Sequence, residues 1–270
     1  MTALPLIALT GNPNAGKSAL FNALTGARQK TGNYPGVTVE RHVGRIILPD
    51  GRPAELVDLP GTYSLVPSSP DEQVTRDVIM GVQAGERRPD ALVIVVDAGN
   101  LENHLRFAGE LIAQGIPAMI ALNMVDIAER DGLTLDPARL SADLGVPVIP
   151  TVAVRKRGVE GLKEAVLELL GREAAPAMPL VGDFSERQRE ARAIAKAAIR
   201  KETPARATSR RIDQIVLHPV AGPIILAVLL FVMFQAVFAW ATPFADAIDG
   251  GVTSFRNAVA TMLPAGIVRS

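Results

Sequence analysis

The chain has 270 residues, 48% of them hydrophobic and 21% charged, which is enough apolar material for one large domain and a smaller appendage. Its 28 basic residues balance 28 acidic ones, so the global charge carries no footprint for nucleic acid, which is not expected as a partner. Cysteine is absent, excluding disulfides, thiol catalysis and Cys-ligated metals and fitting a reducing compartment.

The first predicted element is a strand over Leu4 to Leu9, read as a strand rather than a signal peptide because no charged segment precedes it. Gly11-Asn12-Pro13-Asn14-Ala15-Gly16-Lys17-Ser18 follows, and then a helix over 17–25. Strand, glycine-containing loop and helix in that order make a phosphate-binding loop. Glycines let backbone N–H groups curl around a phosphate at the helix N-terminus, Lys17 reaches the outer phosphates, and the Ser18 hydroxyl suits Mg²⁺. A nucleoside triphosphate is the expected ligand.

The next segment, Asn33 to Glu40, is polar and includes Gly36, Val37 and Thr38. Thr38 is the hydroxyl expected to complete the Mg²⁺ shell. Apolar runs at Val43 to Leu48 and Ala54 to Val57 flank Asp50-Gly51 and predict an antiparallel hairpin, with one non-parallel strand at the sheet edge. Asp58-Leu59-Pro60-Gly61 comes directly after it. Asp58 is placed to hold Mg²⁺ through water, and the Gly61 N–H to sense a γ-phosphate.

Further strands are predicted at Ala91 to Val96, Ala118 to Leu122 and Val146 to Ile149, alternating with amphipathic segments near 71–84, 102–114, 137–144 and 158–170. This alternation predicts an α/β fold with a mostly parallel sheet and helices on both faces. Asn123-Met124-Val125-Asp126 follows the strand predicted over Ala118 to Leu122, and the Asp126 carboxylate suits the N1–H and N2–H₂ donors of guanine, which adenine lacks. His42, His104 and His218 stand apart in the sequence and predict no metal centre.

The α/β domain is expected over 1–170, a linker and small helical domain over 171–216, and a hydrophobic transmembrane-type helix with its following segment over 217–270. From Glu186 to Asp213 the chain has nine basic and four acidic residues. Those charges suit either anionic headgroups or a solvated face. Val220 to Thr242 contains no charged residue, predicting a membrane span with Trp240 at an interface. Arg200, Lys201, Arg206, Arg210 and Arg211 lie on its N-terminal side, so the first 215 residues are expected in the cytoplasm.

Taken together, Gly11 to Ser18, Thr38, Asp58 to Gly61 and Asn123 to Asp126 resemble the G1 to G4 motifs of the Ras-like P-loop GTPases. The variants GNPNAGKS, NYPGVTVE, DLPGTYSL and NMVD, followed by a basic helical segment and an apolar one, resemble the ferrous iron transport protein B family. That resemblance implies GTP and GDP as ligands, slow GTP hydrolysis, Mg²⁺ as cofactor and K⁺ as activator, with Asn14 as the K⁺ ligand. It also implies Fe²⁺ as the ion transported by a longer protein of which this chain is the N-terminal part. The expected location is the inner (cytoplasmic) membrane, with the GTPase on its cytoplasmic side and room for a homo-oligomer. The implied nucleotide contacts are Gly11 to Ser18, Gly36 to Thr38, Asp58, Gly61, Asn123, Met124 and Asp126, plus a fifth motif at Val152, Ala153 and Val154, where Ala153 occupies the usual Ser position. Lys17, Asn14, Thr38 and Gly61 form the implied catalytic set. Where many GTPases carry a Gln after Asp-x-x-Gly, this chain has Thr62. A membrane-tethered regulatory GTPase and a ribosome-assembly GTPase remain alternative readings, the latter disfavoured by 4% aromatics and the apolar segment.

Overall fold

The computed structural model describes residues 4–26, 29–35, 37–172, 176, 182–203, 212, 214–237 and 241–262. The chain divides into two compact units, Met1–Arg206 and Ala207–Ser270.

The first unit is built on a seven-stranded sheet. Its strands are β1 (Leu6–Gly11), β2 (Gln29–Asn33), β3 (Glu40–Ile47), β4 (Pro53–Asp58), β5 (Ala91–Asp97), β6 (Ala118–Asn123) and β8 (Val148–Pro150), in the order β2-β3-β4-β1-β5-β6-β8. Pairings from β4 through β8 are parallel, and β3 runs antiparallel to both β2 and β4. The antiparallel strand therefore lies one position in from the edge, and β2 forms the edge itself. Its sequence, QKTGN, has no apolar residue, so periodicity could not reveal it.

Side-chain alternation along β1 sends Leu6 and Ala8 to one face and Ile7 and Leu9 to the other, and two cores form accordingly. On the first face lie α2 (Pro70–Met80), α3 (Leu101–Ile112), α4 (Val125–Arg130) and α5 (Pro137–Leu144). On the second lie α1 (Lys17–Thr25) and α6 (Val159–Leu169). Local signals set the helix ends. Ser69 accepts the Glu72 N–H ahead of Pro70, and Gly81 closes α2 in the left-handed region, which Gly enters without a Cβ clash.

Helix α7 (Phe184–Ala197) begins with a reciprocal capping box between Asp183 and Glu186 and buries Ala191 and Ala195 in the first core, along α3. The small alanines permit close approach. Strand β9 (Ile199–Glu202) then pairs antiparallel with β7 (Leu133–Leu135) in a separate two-stranded sheet. Both strands are too short for a periodic signal.

In the second unit, α8 (Ala221–Gln235) has 15 residues, none of them buried, and Phe231 is 68% exposed. Its length of about 22 Å falls short of the ~30 Å hydrocarbon layer. Among the described residues no helix is long and apolar enough to cross a membrane; the span expected over 220–242 includes 238–240, which lie outside the described residues. The apolar character continues in the sequence, but regular α-helical turns stop at Gln235, and α9 (Ala241–Met262) carries Asp246, Asp249 and Arg256. Trp240 and the basic Arg206, Arg210 and Arg211 lie outside the described residues.

Candidate functional site

Parallel strands direct their C-terminal ends to one edge of the sheet, and the loops after β1, β4, β5 and β6 open there. The loop after β1 is shaped by two left-handed residues, Asn14 (φ 65°) and Gly16 (φ 83°). At Gly16 a Cβ would run into the Asn123 side-chain amide, so this position requires glycine for both space and conformation. Gly16 is the N-cap of α1, and no side chain caps that first turn. The first-turn N–H groups, capped by no side chain, favour an anion there.

Asn123 is 2% exposed and ties three loops together. Its Nδ2 donates to the Ala15 carbonyl at 3.0 Å, and its Oδ1 accepts the Ala153 N–H at 3.1 Å and the Thr151 hydroxyl at 3.4 Å. Met124 adopts φ 61° directly after it, turning the chain into α4 so that Asp126 stands in its first turn with a side chain 19% exposed. Val152 and Ala153 are buried beside this junction, whereas Val154 is 81% exposed. Arg155, which the sequence reading passed over, pairs with Asp126 at 3.4 Å. No spacing rule announces that pair, because Asp126 opens α4 and Arg155 lies in the segment after β8.

On the other side of Lys17, its Nζ lies 2.5 Å from Asp58 Oδ1. Burial pushes the Asp58 carboxyl up from its ordinary value, and the Lys17 charge and hydrogen bond work against that rise. Lys17, Ser18, Thr38 and Asp58 line one cavity of about 420 Å³. Two hydroxyls and a carboxylate are hard oxygen donors of the kind Mg²⁺ prefers, so these residues fit that ion. Val37 is exposed, and Gly36 lies outside the described residues. Gly61 sits against the Pro13 backbone, where an added Cβ would meet Pro13 Cα at 3.2 Å. Asn14 opens instead on a second cavity of about 450 Å³, together with Pro13, Tyr63, Asp97, His104 and Arg106.

Thr62 is fully buried, and its N–H donates to the Gly11 carbonyl at 3.3 Å. Its hydroxyl is taken up by the Ser64 carbonyl at 2.9 Å and the Glu72 carboxylate at 3.1 Å. Glu72 also accepts the N–H and hydroxyl of Ser68, and those bonds hold its carboxyl below the usual range. The Thr62 hydroxyl is thus occupied within its own loop.

His104 on α3 accepts the Asp97 N–H on Nδ1 at 3.2 Å. Burial pulls its pKa below the usual 6.5, and the Asp97 charge opposes that only partly. The native state therefore binds fewer protons than the unfolded chain in the window below 6.5, and His104 contributes stability that is present above that value and lost as pH falls through the window. We expect the thermal midpoint to fall from about pH 7 to about pH 5, and to fall less steeply in His104→Asn, whose amide oxygen keeps the acceptor without the titration. Parallel pH profiles of the two proteins would show that this histidine carries no such stability.

Among protein families, the one described as "Ferrous iron transport protein B" matches residues 6–166. The Fe(2+) transporter FeoB of Shigella flexneri is 50% identical over 164 residues, covering 59% of this chain and 20% of that protein. The chain thus matches about a fifth of the length of its curated relatives. Among solved structures, the cytosolic domain of L. pneumophila FeoB is 37% identical, covers 77% of this chain and 87% of its own, and has a TM-score of 0.58. The cytosolic domain of the T. maritima FeoB iron transporter in its GMPPNP form is 34% identical over 68% of this chain and 70% of its own, with a TM-score of 0.60.

Proposed function

Since the chain belongs to the ferrous iron transport protein B family, we propose that it is the GTP-binding and GTP-hydrolysing switch domain of an Fe²⁺ transporter. The observation that carries this reading is Asn123, whose one buried amide joins the phosphate-binding loop at Ala15 to the loop at Ala153. Asp126 follows three residues later, so base and phosphates are read by parts of a single hydrogen-bonded frame.

In this reading the N–H groups of Asn14 to Ser18 and the Lys17 ammonium hold the phosphates. Asp126 accepts the guanine donors, and the backbone of Val152, Ala153 and Val154 borders the base. Ser18, Thr38 and Asp58 would hold Mg²⁺, which supplies positive charge for the β- and γ-phosphates when bound. Lys17 meanwhile releases Asp58 and turns to phosphate. Gly61 presents its N–H to the γ-phosphate, so residues 28–40 and 58–72 order with GTP and relax after hydrolysis. Hydrolysis is slow, because Thr62 spends its hydroxyl on Ser64 and Glu72 and cannot orient water. Asn14, exposed and held at positive φ, is proposed to coordinate a K⁺ that offsets charge developing on the phosphates.

Placement at the inner membrane, on its cytoplasmic side, is supported by the transporter relatives and by the exposed, uncharged surface of α8. The test is phosphate release from GTP in K⁺ and in Na⁺, with ATP as control. We expect GTP-only turnover, raised at least about ten-fold by K⁺ and not raised in Asn14→Ala. Equal rates in the two salts would remove the K⁺ role, and turnover of ATP would remove the guanine assignment.

A further inference from the structure

The segment directly after Gly61 has a second anchor, on the face of the sheet where α3 packs. On α3, Arg106 and Glu110 form an ion pair in which both residues are buried, 8% and 3% exposed. The pair is not self-contained. Arg106 Nη2 donates to the Tyr63 carbonyl at 2.5 Å, and Glu110 Oε2 accepts the Leu65 N–H at 3.1 Å and the Ser64 hydroxyl at 3.3 Å. Three consecutive residues are therefore held by two charged groups on one helical turn. The preceding residues are pinned elsewhere, Gly61 against Pro13 and Thr62 N–H on the Gly11 carbonyl.

The same pair touches α7. The Arg106 guanidinium stacks 4.6 Å over the Phe184 ring, Arg187 approaches Glu110 at 3.9 Å, and Gln188 donates to the Glu102 carbonyl at 3.0 Å. A buried ion pair adds little net stability over apolar side chains of the same volume, but each partner is costly to leave alone. Its value here is directional, because charge-assisted hydrogen bonds fix the Tyr63–Leu65 backbone at one position.

We infer that Arg106 and Glu110 are positioning residues of the nucleotide switch, which hold Tyr63–Leu65 so that Gly61 faces the γ-phosphate, and that the N-terminal turn of α7 completes this anchor. The inference rests on the GTP-switch reading above. GDP has no γ-phosphate, so the pair acts on GTP and leaves GDP binding unchanged. Loosening the anchor lowers the preference for a γ-phosphate and the hydrolysis rate, and so does unseating α7.

The experiment compares affinities of the 270-residue chain, in mild detergent, for GDP and for a non-hydrolysable GTP analogue, with kcat and KM for GTP and thermal midpoints alongside. In Glu110→Ala the analogue-to-GDP affinity ratio and kcat are expected to fall about ten-fold, with GDP affinity unchanged. Glu110→Gln, whose amide oxygen still accepts the Leu65 N–H, recovers most of both. Phe184→Ala, at a position 58% exposed, lowers the ratio about three-fold without unfolding the domain. A merely structural role would lower the thermal midpoint and weaken both nucleotides together, leaving the ratio as it was, and that result overturns the inference. Should Glu110→Ala fail to fold, Phe184→Ala decides alone, with an unchanged ratio counting against. An unaltered chain that binds no GDP sinks the parent reading instead, and this one with it.

Discussion

Asp126→Asn is expected to weaken GTP binding by about a thousand-fold or more and to admit xanthine nucleotides in its place. In the proposed reading the carboxylate accepts from two guanine donors. An amide turns one of those acceptors into a donor, which faces the guanine N2–H₂ unfavourably but matches the O2 carbonyl of xanthine. Because the Asp126 side chain is only 19% exposed, water cannot fully repair the mismatch. The Arg155 partner is 72% exposed, so losing that ion pair alone costs little and does not mask the effect. Titrating a fluorescent GTP and a fluorescent XTP against both proteins decides the matter. Retention of GTP affinity in the variant would show that the base is read elsewhere.

Asn123→Ala is expected to cost about 3 kcal/mol of stability, from three hydrogen bonds of roughly 1 kcal/mol net each. For a domain of this size that lowers the thermal midpoint by roughly 6–12 °C. The Ala15 carbonyl and the Ala153 N–H are both buried at this junction, and alanine leaves them without the amide that joins them. Affinity for GTP and GDP falls together, since the frame between phosphate and base loosens whichever nucleotide is bound. That common loss separates Asn123 from Glu110, whose removal spares GDP. A midpoint within a degree or two of the unaltered protein would mean that the three loops are held in place by something other than this side chain.

Contiguous motifs were legible without coordinates because their chemistry is local. The phosphate-binding loop needs glycine at a left-handed position and a lysine beside it, and Gly16 and Lys17 are adjacent in the chain. The apolar runs of β1, β5 and β6 are buried on both faces of a parallel sheet and read as unbroken hydrophobic segments. Strand β2 was not legible, because an edge strand of polar residues contributes backbone hydrogen bonds and no core side chains. The apolar character of 220–242 was legible from composition, which reports transfer free energy and not where a helix ends. In the described structure α8 ends at Gln235.

Sequence alone determined which chemistry is available to this protein: an anion site at a helix N-terminus, a carboxylate suited to guanine, oxygen donors suited to Mg²⁺ and an alternating α/β pattern to carry them. Tertiary structure decided what those groups do when they meet. It set Lys17 on Asp58, closed the Thr62 hydroxyl onto Glu72, linked Ala15 to Ala153 through Asn123, and brought Arg106 and Glu110 under Tyr63–Leu65 and against Phe184. Each of these contacts joins residues from separate elements. Their partners are selected by the order of strands in the sheet and the face on which each helix packs, and neither is encoded in the spacing of residues along the chain.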